Sequence, residues 1–129
     1  MILTGVSGVV HVATIYDGGQ DMIERVVDMN RNILTTASQE PTVQRFVYTS
    51  SSETAAFSSF LEHDETQPAR ITTKTWNEIA IERIQGRTCS VTPKEAFDVY
   101  AASKTLGEQA IWDWIKDVQP RFKVNTGKS

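Results

Sequence analysis

Between Gly8 and the polar turn Tyr16-Asp17-Gly18-Gly19-Gln20 lies a short β-branched run, Val9-Val10-His11-Val12-Ala13. An apolar run of this kind, without regular polar alternation, predicts a strand buried on both faces, as in a parallel sheet. The spacing then lengthens. From Asp21 onward Ile23, Val26, Val27, Ile33, Leu34 and Ala37 fall on one stripe of a helix, with Glu24 completing a box-like start and Pro41 just beyond the end. Arg45 to Thr49 reads as a second strand, so strand, helix and strand form a right-handed βαβ unit.

Beyond Ser52 the pattern weakens. Residues 53–74 mix polar and acidic side chains, Glu62-His63-Asp64-Glu65 among them, and read as a surface excursion. Thr75 to Ile84 predicts a short helix, with Thr75 as N-cap, Glu78 as its box partner and Gly86 as the stop. The longest helix runs from about Pro93 to Val118. Thr92 and Glu95 open it with a capping box, Pro93 sits where its missing N–H costs nothing, and Pro120 ends it. Phe122 to Asn125 begins one more strand. The order points to an α/β fold with a parallel sheet.

Composition narrows the function. The 129 residues make one domain, and 40% hydrophobic with 22% charged residues describes a folded, water-soluble chain. A net charge of −3 and the lack of a basic run argue against nucleic acid. Cys89 is the single cysteine, so no internal disulfide forms, which fits a reducing, cytoplasmic setting. The apolar start has no Lys or Arg before Arg25 and is interrupted by glycines, so it reads as neither a signal peptide nor a membrane span.

The candidate chemistry lies on the long helix. Tyr100 and Lys104 are four residues apart and share a face, one turn above the other. A phenol with an ordinary pKa of about 10 is a poor acid or base near neutrality. A fixed ammonium one turn away favours phenolate and makes the tyrosine usable, and the ammonium has donors left for a ribose hydroxyl. The spacing alone is common on ordinary helices. Its neighbourhood is more specific: Val99-Tyr-Ala-Ala-Ser-Lys-Thr-Leu-Gly-Glu-Gln-Ala-Ile-Trp112 follows the strand-like Arg45-Phe-Val-Tyr-Thr-Ser-Ser-Ser52. This pair resembles the extended short-chain dehydrogenase/reductase family, in the branch of dihydroflavonol reductases and fungal aldehyde or ketone reductases. Gly5 to Ile15 looks like that family's fourth strand, and Thr75-Trp76-Asn77-Glu78 like the fungal segment before the tyrosine helix.

The resemblance implies a partial Rossmann-type sheet with flanking helices, residues 1–129 being the central part of an NAD(P)-binding domain and 53–90 a surface excursion on the substrate side. It implies oxidoreduction of a small carbonyl or alcohol with NADP or NAD, NADP slightly preferred. Tyr100 is then the acid, Lys104 its tuner and ribose anchor, and Ser51 the donor to the carbonyl. Ser51 lies beyond a strand's carboxyl end, where ligands bind in open α/β sheets; Ser50 and Ser52 compete for that role, and a loop hydroxyl capping local backbone would look the same. Thr49, Ala13 and Thr14 are expected to face the cofactor, although a small residue after a strand also serves a tight turn. A nucleotide-sugar epimerase or dehydratase shares the triad, and a non-catalytic remnant or dinucleotide-sensing module would keep its residues. A homodimer through the long helices fits the same family.

Other residues carry less. His11, inside an apolar run, reads as a satisfied core histidine. His63 lacks the spacing of metal ligands, so no metal is expected. Trp112 and Trp114 read as fillers along the long helix, while Trp76 either lines a substrate pocket or anchors its helix. Met29-Asn30 stands where the family usually has Gly-Thr, which works against close packing there.

The family's Gly-rich turn between first strand and first helix does not occur in these residues. Gly5-Val-Ser-Gly8 precedes a strand instead of joining one to a helix. The first βαβ units and the C-terminal substrate subdomain are expected to be missing. Amides at a helix N-terminus supply much of dinucleotide affinity, so the 129 residues alone are predicted to bind cofactor weakly and reduce little. Robust carbonyl reduction by the purified chain would overturn that expectation.

Overall fold

The computed structural model describes residues 2–19, 21–56, 71–86 and 92–128. Cys89, the Glu62-His63-Asp64-Glu65 run and, within the 53–90 excursion, residues 57–70 and 87–90 lie outside them. Three strands, β1 (Gly8–His11), β2 (Arg45–Ser50) and β3 (Lys123–Lys128), form a parallel sheet in that order. The helices are α1 (Met22–Gln39), α2 (Glu78–Ile84) and α3 (Pro93–Val118), with a short 3₁₀ turn at Ser52–Thr54. Register is set by Val9 opposite Phe46 and His11 opposite Tyr48, then by Phe46 opposite Val124 and Ser50 opposite Lys128. All three carboxyl ends therefore meet at one edge. The expected α/β fold is present.

Alternation along β2 separates two faces. Phe46, Tyr48 and Ser50 are buried, and Phe46 and Tyr48 join Val9, Leu34 and Ala37 of α1, Ile111 of α3, Val43 and Phe122 in the main core. Trp114 stacks on Phe122, and Phe122 on Phe46, closing the far end. A second, smaller cluster joins Ala80 of α2 to Ala101 and Ala102 of α3, with Ile23 and Ile84 against it. The other face of the sheet is open among the described residues. Val10 is 67% exposed and Val12 66%, so β1 is buried on one face and not on both. Both long helices send their buried residues to the same side of the sheet, and this leaves Val10 in water.

Local starts and stops explain the helices unevenly. At α3 the capping box forms as expected: Thr92 accepts from the Glu95 N–H and the Glu95 carboxylate accepts from the Thr92 N–H. Gln119, left-handed at φ 50°, ends that helix before Pro120. At α1 no side-chain cap forms; the Asp21 carboxylate instead accepts from Arg25, so the box expected at Glu24 is absent. At α2 the cap is Asn77, whose Oδ1 accepts from the Ala80 N–H. Thr75 is not the cap, because its hydroxyl already accepts from the Thr72 N–H. Gly86 follows α2 at φ 76°, a conformation that favours glycine.

The long helices approach each other closely at Gly107. Asn30, fully buried, donates from Nδ2 to the Gly107 carbonyl at 3.1 Å, and its Oδ1 lies 2.9 Å from Nε2 of His11. His11 is thus the satisfied core histidine that the sequence suggests. Asn30 does not loosen the packing; it bridges α1, α3 and β1. A Cβ at Gly107 would stand 2.9 Å from Asn30 Nδ2 and 3.0 Å from Val26 Cγ1. Asn30 is pinned at both ends of its amide and cannot move aside. Gly107→Ala is expected to destabilise the fold by about 1–3 kcal/mol through overpacking, measured by denaturant melts; a neutral result would mean the two helices separate freely.

Candidate active site

Lys104 sits at the carboxyl edge of the sheet, only 3% exposed. Its Nζ donates to the Thr49 carbonyl at 2.9 Å and to the Tyr48 hydroxyl at 3.1 Å, and lies 4.6 Å from the centre of the Tyr48 ring. A buried ammonium survives only with such partners. Burial lowers the Lys104 pKa from its ordinary value, and the nearby Glu108 carboxylate opposes the shift. Tyr48 responds in the other direction. Burial pushes its phenol up to about 12, partly opposed by Asn30 and assisted by the negative charge of Glu108.

Tyr100 stands one turn before Lys104, half-buried, with its ring edge-on to Tyr16 at 5.3 Å and tilted against Phe97 at 6.2 Å. Ser51 follows β2 directly and is buried. Its Oγ accepts from the Glu53 N–H at 3.3 Å, which leaves the hydroxyl proton for another acceptor. Its carbonyl accepts from the N–H and the hydroxyl of Thr54. Ser50 is committed elsewhere, because its hydroxyl donates to the Glu108 carboxylate. Ser52 is exposed. Thr49 faces Lys104 through its carbonyl, while Ala13 and Thr14 are exposed just past β1.

Three residues in this arrangement were not singled out by sequence reasoning. Tyr48 takes a Lys104 donor. Asn77 pins the turn after Ser51, its Nδ2 donating to the Glu53 carbonyl and its N–H to the Thr54 carbonyl. Glu108 gathers Ser50, Thr126 and Trp112 around one carboxylate. The four-residue step from Lys104 to Glu108 was the one available signal, and it resembles any helical ion pair. Trp112 is 38% exposed and donates to Glu108, so unlike Trp114 it is not a core filler. Trp76 is half-buried, with Lys128 Nζ 5.3 Å from its ring centre. Among the described residues no group of three or more His, Cys, Asp or Glu could hold a metal ion, and no helix is long and apolar enough to cross a membrane.

No protein-family profile matches the chain. It is 35% identical over 128 residues to the NAD-dependent epimerase/dehydratase terH of Aspergillus terreus, covering 97% of this chain and 36% of that protein. Over nearly its whole length the chain is thus similar to part of an NAD-dependent epimerase/dehydratase. Aldehyde reductase 2 of Sporidiobolus salmonicolor is 29% identical, with 96% of this chain and 36% of that protein covered. The structure of Gre2 from Candida albicans, in complex with NADPH, superposes with a TM-score of 0.67 at 27% identity over 94% of this chain and 35% of that one. The chain thus spans about a third of the length of these relatives.

The raised Tyr48 pKa has a consequence for stability. Between pH 10 and about 12 the folded chain keeps a proton that the unfolded chain loses, so stability falls as pH rises through that window. Tyr48→Phe is expected to flatten that decline and to remove a late step from the tyrosinate absorbance titration. Denaturant melts across the window check it, and an unchanged profile contradicts the burial of this phenol.

Proposed function

We propose that residues 1–129 form the central part of an NAD(P)-binding domain and carry the reacting face of a carbonyl reductase acting on small aldehydes or ketones in the cytoplasm. The observation that carries this reading is Lys104, buried at the carboxyl edge and tied to Thr49, one turn from Tyr100 and beside the Ser51 turn. A bound nicotinamide supplies the hydride. In this reading the Tyr100 phenol donates a proton to the carbonyl oxygen, while the Ser51 hydroxyl donates a hydrogen bond to it and polarises the carbon. The Lys104 ammonium stabilises the phenolate left behind. Two of its three donors are used among the described residues, which leaves one for a ribose hydroxyl. Ala13, Thr14 and Thr49 line the cofactor's path over the strand ends. NADP is the preferred dinucleotide, in keeping with the NADPH complex of the Candida relative. The Gly-rich turn that cradles a diphosphate is not among these residues, so the fit concerns the nicotinamide end.

The Aspergillus relative's name, an NAD-dependent epimerase/dehydratase, favours a second reading, epimerisation or dehydration, for which we propose a nucleotide sugar as substrate. The same tyrosine and lysine serve both chemistries. A dinucleotide sensor without turnover is the third.

Tyr100→Phe separates a catalyst from a sensor, and the substrate that is turned over separates the two chemistries. A reductase is expected to lose roughly 10²- to 10⁴-fold in turnover of aldehydes and ketones with NADPH, with dinucleotide binding unchanged. The assay pairs the 129-residue chain with a chimaera in which these residues replace the matching stretch of the Sporidiobolus reductase. Equal rates before and after substitution contradict the proposal, and binding without turnover supports the sensor.

A further inference from the structure

Glu108 is a charged group deep in the fold, 2% exposed and one helical turn after Lys104. Its Oε2 accepts from the Ser50 hydroxyl and lies 3.8 Å from Nζ of Lys128. Its Oε1 accepts from Thr126 Oγ1 at 2.9 Å and from Trp112 Nε1 at 3.4 Å. These partners come from three elements: the last residue of β2, the end of β3, and the next turn of α3. A carboxylate so far from water needs every one of those donors. A neutral acceptor would satisfy hydroxyls as well, so hydrogen bonding alone does not account for the charge.

Lys128 gives the carboxylate one countercharge, and Lys104, one turn earlier on α3 and buried like Glu108, is a second. The Lys104 ammonium has a carbonyl and a phenol as its hydrogen-bond partners, both neutral acceptors. Tyr48 of β2 and His11 of β1 face it from the sheet, and Tyr100 stands a turn earlier on α3. Of these groups Glu108 alone carries a negative charge at neutral pH. We infer that Glu108 is a positioning residue, whose carboxylate ties the carboxyl ends of β2 and β3 to α3 and keeps Lys104 cationic inside the fold. The inference rests on the proposed role of Lys104. It assigns to Glu108 the part of holding that cation in place and charged, with no contact to substrate.

The sign of the coupling follows from the charges. Burial drives Lys104 toward the neutral amine and Glu108 opposes it, so removing the carboxylate lowers the pH at which Lys104 loses its proton. The test is an NMR titration of the lysine ε-carbons in the 129-residue chain, with Lys104 assigned by comparison with Lys104→Arg. Glu108→Gln, which keeps the shape, is expected to shift the Lys104 midpoint downward. Thr126→Val, which removes a hydrogen bond but no charge, is expected to shift it less. Glu108→Asp, which keeps the charge, is expected to leave the midpoint closer to that of the unaltered chain, and this readout stands even where Glu108→Gln does not fold. A folded Glu108→Gln with an unmoved midpoint, an equal shift in Thr126→Val, or a Glu108→Asp midpoint displaced as far as a charge-removing change would displace it would each overturn the inference. None of these readouts needs turnover. Coupling without carbonyl reduction would sink the proposed function alone, and reduction without coupling would sink this assignment alone.

Discussion

Burying one ammonium constrains much of this structure. A lysine taken out of water costs several kcal/mol unless its charge is matched and its donors are satisfied. Lys104 meets that demand with the Thr49 carbonyl, the Tyr48 hydroxyl and the opposite charge of Glu108. Each partner has its own requirement. Thr49 and Tyr48 must lie at the carboxyl end of β2, and Glu108 must reach Ser50 and Thr126 on two neighbouring strands. Helix α3 is thereby held in one orientation across the strand ends, with Tyr100 a turn before the ammonium.

That placement needs a close approach on the other side of α3. Gly107 gives the room, and Asn30 uses it, joining the Gly107 carbonyl to the His11 ring. The polar chain from β1 through α1 to α3 lies beside the Tyr48 ring, 5.6 Å from His11. Burial lowers the His11 pKa, with the Asn30 hydrogen bond opposing, so the neutral ring is the form that fits. Its stabilising share is present above the ordinary histidine value of 6.5 and lost as pH falls through the folded value. Core and candidate site therefore share residues.

How much of this could be read from the sequence depends on the range of the interaction. Features of the backbone within a turn or two were legible: the Thr92–Glu95 box, the stop at Gly86, the long helix to Val118 and the three parallel strands. Helix starts failed where a neighbouring group three or four residues away competed for the capping side chain. Thr75 was drawn off by Thr72, Asp21 by Arg25, and the cap of α2 passed to Asn77. Val10 reads as doubly buried from its β-branched neighbours, yet both helices pack on the opposite face. In the candidate site Tyr100, Lys104 and Ser51 were found by resemblance to a family, and their one-turn or strand-end spacing made sense physically. Tyr48 and Glu108 were not, because their partners lie 56 and 58 residues away along the chain.

The central claim is that the shared carboxyl edge, with Lys104 beneath it, is where a nicotinamide dinucleotide meets this chain. Backbone amide NMR during addition of NADPH tests it most directly. The expected result is a cluster of shifts at Ala13 and Thr14, at Thr49 to Glu53 and along α3 from Tyr100 to Glu108, absent in Lys104→Met. Shifts confined to the outer face of α1 around Met29 and Ile33, or an unchanged pattern in Lys104→Met, would contradict it.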